Sequence, residues 1–141
     1  MIMKEEKRDL FDVDTYEYAI AHCISSDCKM GAGIAVPIKK RFKLNGLDKI
    51  YPPEKRKHPT CIYHNGVFNL ITKRKYSSKP TLHSLRISLL IMKKLAQENG
   101  VNKIAMPRIG CGLDGLVWPE VKKVIEECFF ETDIEILVCN K

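Results

Sequence analysis

The chain has 141 residues, of which 45% are hydrophobic and 29% are charged. These values predict one globular domain, 1–141, with a single core. They exclude a membrane-spanning protein, because no apolar run approaches the length of a transmembrane helix. Residues 1–8 are too charged for a secretory signal, so we expect an intracellular protein of the nucleus, the cytoplasm or both.

Net charge and cysteine usage limit the possible functions further. The formal net charge of +7 permits attraction to anions such as nucleotides, poly(ADP-ribose) or nucleic acids, although the charge alone favours a solvated basic surface. The six cysteines include no C-x-x-C pair, so we expect reduced, buried thiols and no zinc or other metal site.

The first third of the chain contains a strand followed by a glycine-containing loop. Residues 2–11 are expected to form a short first strand. Residues 19–24 are apolar apart from His22, which predicts a strand buried on both faces, as in a parallel sheet. A polar loop with Gly31 and Gly33 follows, and then a helix to about Phe42. This loop would lie at the carboxyl end of a strand, where open α/β sheets bind ligands.

The middle of the chain predicts a hairpin and a long helix. Residues 43–60 are basic, contain three prolines and have no clear periodicity, which indicates a surface excursion with room for a short helix. Asn65-Gly66 lies between two apolar runs, 61–64 and 67–72, and is a strong hairpin signal. An amphipathic helix is expected from Pro80 to about Asn99, ended by Gly100.

A second glycine loop follows the next strand. Residues 104–106 form a short apolar run, and Pro119 is suited to open a helix. Gly110, Gly112 and Gly115 lie between them, and a strand, a glycine loop and a helix N-terminus together form a typical phosphate site. The spacing also matches G-x-G-x-x-G. A dinucleotide-binding fold is excluded because only one helix and one strand, 134–139, remain after it.

The order of elements predicts the fold class. Strand, strand, helix, hairpin, helix, strand, helix and strand indicate an α/β domain with three layers, α/β/α, around a central mixed sheet. Both glycine loops would then converge at one end of that sheet.

These motifs resemble one protein family. The chain from about Asp9 onward is similar to macrodomains, and in particular to the branch of terminal ADP-ribose protein glycohydrolases, also called O-acetyl-ADP-ribose deacetylases. The resemblance implies a macrodomain fold, ADP-ribose binding, and hydrolysis of the ester between ADP-ribose and a protein glutamate without a metal or cofactor. The segments that carry it are 21–25, 30–35, 70–73 and 106–114.

The resemblance also implies roles for individual residues. Asp9, with Leu10, would meet the adenine, although Arg8 replaces the usual preceding glycine. Lys141 stands near the family's apolar adenine contact, so we expect adenine affinity to differ. Lys73 would be the catalytic lysine and Asp114 its acid/base partner. The residues that would hold the pyrophosphate and distal ribose are Ser25, Gly31, Ala32, Gly33, Ile109, Gly110, Cys111, Gly112 and Leu113.

The implied chemistry is reasonable for these residue types. A lysine amine can attack the anomeric carbon of ribose and form a Schiff base if its pKa is depressed by burial or by a nearby cation. Arg74 and Lys75 are sequence neighbours that could supply that cation, although side chains along a strand alternate between faces. A carboxylate such as Asp114 can move the proton.

More ordinary interpretations remain open for each residue. Lys73 alone could be a surface charge, and Asp114 could cap loop N–H groups. His22 is expected to be a hydrogen-bonded core residue and Trp118 to pack beneath the loop. Cys111 has no suitably placed partner for thiol catalysis.

Three functions are therefore considered. The first is a hydrolase of mono-ADP-ribosylated proteins and O-acetyl-ADP-ribose, acting as a monomer. The second is a non-catalytic ADP-ribose reader. The third is a basic module that contacts nucleic acid, which is weakened by the lack of an aromatic stacking platform. A basic surface could also give either of the first two proteins weak contact with poly(ADP-ribose) or nucleic acid.

Overall fold

A six-stranded mixed sheet forms the centre of the protein. The structure, a computed structural model, describes residues 1–141. The strands are β1 Ile2–Glu6, β2 Ala19–Ser25, β3 Thr60–His64, β4 Val67–Lys73, β5 Lys103–Met106 and β6 Glu135–Cys139. Their order in the sheet is β1-β6-β5-β2-β4-β3, and every neighbouring pair is parallel except the antiparallel pair of β3 and β4. The predicted mixed sheet is therefore confirmed.

Helices cover both faces of this sheet. The helices are α1 Ala35–Arg41, α2 Leu47–Ile50, α3 Leu82–Glu98 and α4 Trp118–Phe129. One core cluster packs α3 and α4 against the sheet around Phe68 and Phe129. A second packs α1 and α2 against the other face around Ile38 and Leu47. This is the predicted three-layer α/β/α arrangement. No helix has the length and apolar character that crossing a membrane requires.

The predicted hairpin and helix ends are also confirmed. Asn65 and Gly66 both have positive φ, 50° and 77°, as a two-residue turn between β3 and β4 requires. Thr81 caps α3 by accepting a hydrogen bond from Ser84 N at 3.0 Å. Gly100, with φ of 67°, follows the end of that helix.

The first strand is shorter than expected. We predicted a strand over 2–11, but β1 ends at Glu6, opposite Cys139 at the end of β6. Beyond that point one further backbone bond, from Arg8 N to Asn140 O at 3.1 Å, joins the two segments. Residues Leu10–Asp12 instead form a 3-10 turn, which Asp9 caps by accepting a hydrogen bond from Phe11 N at 3.0 Å.

The connection 43–60 is not wholly a surface segment. It contains α2 and a second 3-10 turn, Pro53–Lys55. Leu44 and Leu47 are each only 1% exposed, so they anchor the connection to the core beneath α1 and α2. The prediction of a short helix in this connection is confirmed. The prediction that the whole connection lies at the surface missed the two buried leucines.

The topology brings the functional loops together. β2, β4 and β5 lie side by side and run in the same direction, so their carboxyl ends meet at one edge of the sheet. Ser25 at the end of β2 stands in register with Lys73 at the end of β4. The candidate site lies at this edge, where parallel α/β sheets bind ligands.

Candidate active site

Two glycine loops form the walls of a cleft of about 720 Å³, which we call the main cleft. The first glycine loop, 26–34, follows β2, and the second, 107–117, follows β5. Most of the predicted binding residues line this cleft, together with the predicted catalytic residue Asp114. These binding residues are Asp9, Leu10, Ala32, Gly33, Ile109, Gly110, Cys111, Gly112 and Leu113.

The second glycine loop is held in shape by its own backbone. Gly110 has φ of +72°, and Leu116 N donates to Gly110 O at 2.8 Å. A Cβ atom on Gly110 would lie 2.9 Å from Leu116 Cδ1, so this position is closely packed. Ile109, 2% exposed, anchors the loop in the core.

Several backbone N–H groups on the two loops have no acceptor within the protein. On the second loop these are the N–H groups of Gly112, Leu113 and Asp114, and on the first those of Ala32 and Gly33. A Cβ atom on Gly112 would meet no protein atom within 4 Å, so the main chain there is open to a ligand. Free N–H groups on glycine loops are suited to bind a phosphate.

Lys73 and Asp114 form an ion pair in a second cavity. Lys73 Nζ lies 2.7 Å from Asp114 Oδ1, and each side chain is 14% exposed. The cavity measures about 400 Å³ and is also lined by Ser25 and Gly31; we call it the lysine cavity. It adjoins the main cleft, because the two spaces share five lining residues: Cys23, Ala32, Ala35, Leu113 and Asp114.

The two thiols near this pair are kept protonated by their surroundings. Burial, together with the negative charge of Asp114, raises the pKa of Cys23 to about 12. Burial also raises the pKa of Cys111, whose Sγ donates to Ile109 O at 3.3 Å. A thiolate is the reactive form of cysteine, so neither residue is suited to nucleophilic attack.

His22 is the hydrogen-bonded core residue that the sequence predicted. Its Nε2 lies 2.7 Å from Asn69 Oδ1, and the side chain is fully buried. Burial lowers the pKa of His22 to about 4, against the opposing effect of the Asn69 hydrogen bond. The imidazole is therefore neutral at physiological pH, and it has a structural role beneath the main cleft.

The predicted adenine end of the cleft has an unexpected contact. Asp9 Oδ2 lies 3.0 Å from Lys141 Nζ. The hydrogen bond from Phe11 N, and then the Lys141 amine, lower the pKa of Asp9. Leu10 is 4% exposed and belongs to the core. Lys141 and Arg8, the two positions that depart from the family pattern, both line the main cleft.

The cations that line the lysine cavity with Lys73 are not its sequence neighbours Arg74 and Lys75. Arg74 and Lys75 line a different cavity. Lys29 and Lys79 line the lysine cavity instead. Lys79 Nζ donates to Leu113 O, and Lys29 Nζ lies 4.8 Å from the centre of the Tyr76 ring. Sequence reasoning missed these residues because nothing distinguishes them from the other lysines of a basic chain.

Two further residues at the main cleft, Arg108 and Trp118, form a cation–π contact. The Arg108 guanidinium lies 5.5 Å from the centre of the Trp118 ring. Trp118 packs against the core, and its Nε1 donates to Glu5 Oε1 at 3.0 Å. The structure contains no cluster of three or more histidine, cysteine or carboxylate side chains that could hold a metal ion.

Comparisons with known proteins identify the family. No protein-family model matches the chain. Human ADP-ribose glycohydrolase OARD1 is 44% identical over 135 residues, which are 94% of this chain and 87% of that protein. The macrodomain of Mycobacterium tuberculosis DarG has a TM-score of 0.87 at 19% identity and covers 99% of this chain and 98% of its own. Thermosipho africanus DarTG in complex with ADP-ribose has a TM-score of 0.77 at 17% identity, over 99% of this chain and 42% of its own. The chain therefore belongs to the macrodomain family.

Proposed function

We propose that this protein is an ADP-ribosyl hydrolase, which releases mono-ADP-ribose from its ester with protein glutamate and also deacetylates O-acetyl-ADP-ribose. The observation that carries the proposal is the ion pair of Lys73 and Asp114, 2.7 Å apart and largely buried beside the two glycine loops. The similarity to OARD1, which is named an ADP-ribose glycohydrolase, supports the same activity.

The two cavities suit an extended ligand such as ADP-ribose. The adenine would lie near Asp9 and Leu10 in the main cleft, and the pyrophosphate would take the free N–H groups of the glycine loops. The distal ribose would then enter the lysine cavity past Leu113 and Asp114, which line both spaces. This placement puts the anomeric carbon beside Lys73 Nζ, and it agrees with ADP-ribose being the ligand of the Thermosipho africanus structure.

Lys73 acts as the nucleophile in this mechanism. Attack requires the neutral amine, and Asp114 Oδ1, 2.7 Å away, is positioned to take the proton. Nζ then bonds to the anomeric carbon, the carboxylate of the substrate ester leaves, and the sugar ring opens to give an imine. Water adds to the imine carbon, which releases ADP-ribose and restores the amine.

A macrodomain that only binds ADP-ribose is the second candidate. The glycine loops are sufficient for binding, and Lys73 would then be incidental. The close pairing of Lys73 with Asp114 in a cavity next to the loops favours the hydrolase, because a reader has no need for a partly buried amine there.

Turnover separates the two candidates. The purified protein should release ADP-ribose from a glutamate-linked mono-ADP-ribosylated protein and acetate from O-acetyl-ADP-ribose. Lys73→Ala should do neither, while it still binds ADP-ribose. The control Lys94→Ala, which changes an exposed lysine on α3, should match the wild type. Binding without turnover by the wild-type protein would make it a reader.

A further inference from the structure

A third cavity, of about 600 Å³, lies beside the end of β4, and we call it the basic cleft. One wall comes from the connection before β3 and the other from the residues directly after Lys73. None of its lining residues is hydrophobic, and none lines the main cleft or the lysine cavity. They are Ser26, Asp27, Pro53, Arg56, Lys57, His58, Arg74 and Lys75.

The positive charge of the basic cleft is not neutralised within the protein. Arg56, Lys57, Arg74 and Lys75 take part in none of the seven ion pairs of the structure. Four cations that line one concave space and have no carboxylate partner raise the local concentration of an anionic ligand.

Arg56 is held in a fixed position. Its Nε donates to Tyr51 O at 2.7 Å and its Nη1 donates to Ser26 O. These bonds tie the connection before β3 to the first glycine loop, so the guanidinium charge loses little freedom when a ligand binds. A cation that is already ordered contributes more to binding than a mobile one.

The single carboxylate of the cleft is already occupied. Asp27 Oδ1 accepts from Ser25 Oγ and from Lys29 N at 3.2 Å, and Oδ2 accepts from Tyr76 N at 2.9 Å. These three bonds fix the side chain as the join between the first glycine loop and the segment after β4. Its one negative charge is outnumbered by the four cations.

The lining of the cleft indicates which anion fits. Protein partners use apolar and aromatic anchors at the centre of an interface, and this cleft offers no hydrophobic residue. Protein–nucleic acid interfaces are more polar and much more positively charged. His58 is the only aromatic side chain in the lining and no Phe, Tyr or Trp is present, so the contacts would be mainly to phosphates, which carry no sequence information.

We propose that the basic cleft binds the phosphodiester backbone of a single-stranded nucleic acid, at a site separate from the ADP-ribose cleft. A recessed row of cations can admit one strand between its two walls. Because the two sites share no lining residue, the strand and ADP-ribose should bind at the same time. This proposal does not depend on hydrolase activity.

The test measures binding of a fluorescein-labelled oligothymidine of twelve nucleotides by anisotropy across a salt series. Four phosphate contacts predict a slope of log K against log salt of about −3, at about −0.7 for each contact. Lys57→Glu/Lys75→Glu, with one change in each wall, should weaken binding and reduce the magnitude of the slope by about 1.4, since two contacts are lost. The matched control, Lys94→Glu/Lys123→Glu on α3 and α4, should behave as the wild type.

Two further arms test the ligand class and the location. A twelve-residue polyglutamate should bind far more weakly than the oligonucleotide, and saturating ADP-ribose should leave oligonucleotide binding unchanged. Equal binding of polyglutamate, or equal weakening by the control variant, would overturn the proposal in favour of general charge attraction. Displacement of the strand by ADP-ribose would overturn it by placing the strand in the main cleft.

Discussion

Leu113 on the second glycine loop reaches across to Gly33 on the first. The position that a Cβ atom would take on Gly33 lies 3.5 Å from Leu113 Cδ1. Leu113 is 67% exposed, yet it lines both the main cleft and the lysine cavity. A ligand that extends from Asp9 to Lys73 must therefore pass this contact between the loops.

Shortening Leu113 should change how fast ADP-ribose enters and leaves. In Leu113→Ala the contact with the first loop is lost, so we expect both the association and the dissociation rate to rise in stopped-flow measurements. The free energy of unfolding should change by no more than about 0.5 kcal/mol, because the side chain is mostly exposed. Val117→Ala is the control, since Val117 is exposed and lines neither cavity. Equal rates in Leu113→Ala and the wild type would mean that the contact does not control access.

Substitutions at two glycines of the second glycine loop should have different effects, one on ligand binding and one on stability. Gly112→Val should keep the wild-type melting temperature, because its Cβ meets no protein atom, but it should abolish the stabilisation by ADP-ribose, since the side chain would fill the phosphate position. Gly110→Ala should lose about 1–2 kcal/mol of unfolding free energy because alanine is strained at positive φ. Thermal denaturation with and without ADP-ribose measures both, and AMP should stabilise the wild type far less. An undiminished ADP-ribose shift in Gly112→Val would place the ligand elsewhere.

Asp114→Asn tests whether the carboxylate serves the reaction or only binding. The amide keeps the shape of the side chain but cannot take a proton, so turnover of the glutamate-linked substrate should fall by about 10²–10⁴. The Kd for ADP-ribose should stay within about tenfold, or 1.4 kcal/mol. Asp133→Asn, a change of the same kind at an exposed site, is the control. Equal losses of affinity and turnover would make Asp114 a binding residue.

The pH dependence of stability should reflect the protonation of His22. The unfolded chain binds a proton on this residue near its ordinary pKa of 6.5, whereas the folded protein does so only near pH 4. Stability should therefore be full above pH 6.5 and fall as the pH drops toward 4, by about 3 kcal/mol in total. Urea denaturation at pH 7.0, 5.5 and 4.5 measures this, and His22→Gln should flatten the dependence. An unchanged slope in that variant would assign the effect to other groups.

The elements that were predicted correctly depend on local signals. Asn65-Gly66 sets its own turn, Gly100 ends its own helix, and the buried run of β2 needs no knowledge of its neighbours. The end of β1 depends instead on where β6 stops, over a hundred residues away, so the sequence could not place it. Leu44 and Leu47 look like surface residues in a basic, proline-rich segment because their burial comes from tertiary packing.

The part of the candidate site that lies at strand ends was predictable from the sequence, and the part that comes from loops was not. The glycine loops follow strands and Lys73 ends one. Because the carboxyl ends of neighbouring parallel strands meet at one edge of the sheet, the proximity of these residues follows from the fold. The direction of Arg74 and Lys75 did not follow, because their backbone leaves the strand after Lys73. The lysines that line the cavity, Lys29 and Lys79, come from separate loops whose positions only the structure provides.

Chemical trapping of the imine tests most directly whether the Lys73 amine attacks the anomeric carbon. The wild type is incubated with glutamate-linked substrate and a hydride reductant, digested, and examined by peptide mass spectrometry. We predict a reduced ADP-ribose adduct on Lys73 that is absent from Lys73→Ala and from Lys73→Arg, whose guanidinium stays protonated. Full turnover by Lys73→Ala with no adduct in the wild type would contradict the lysine mechanism.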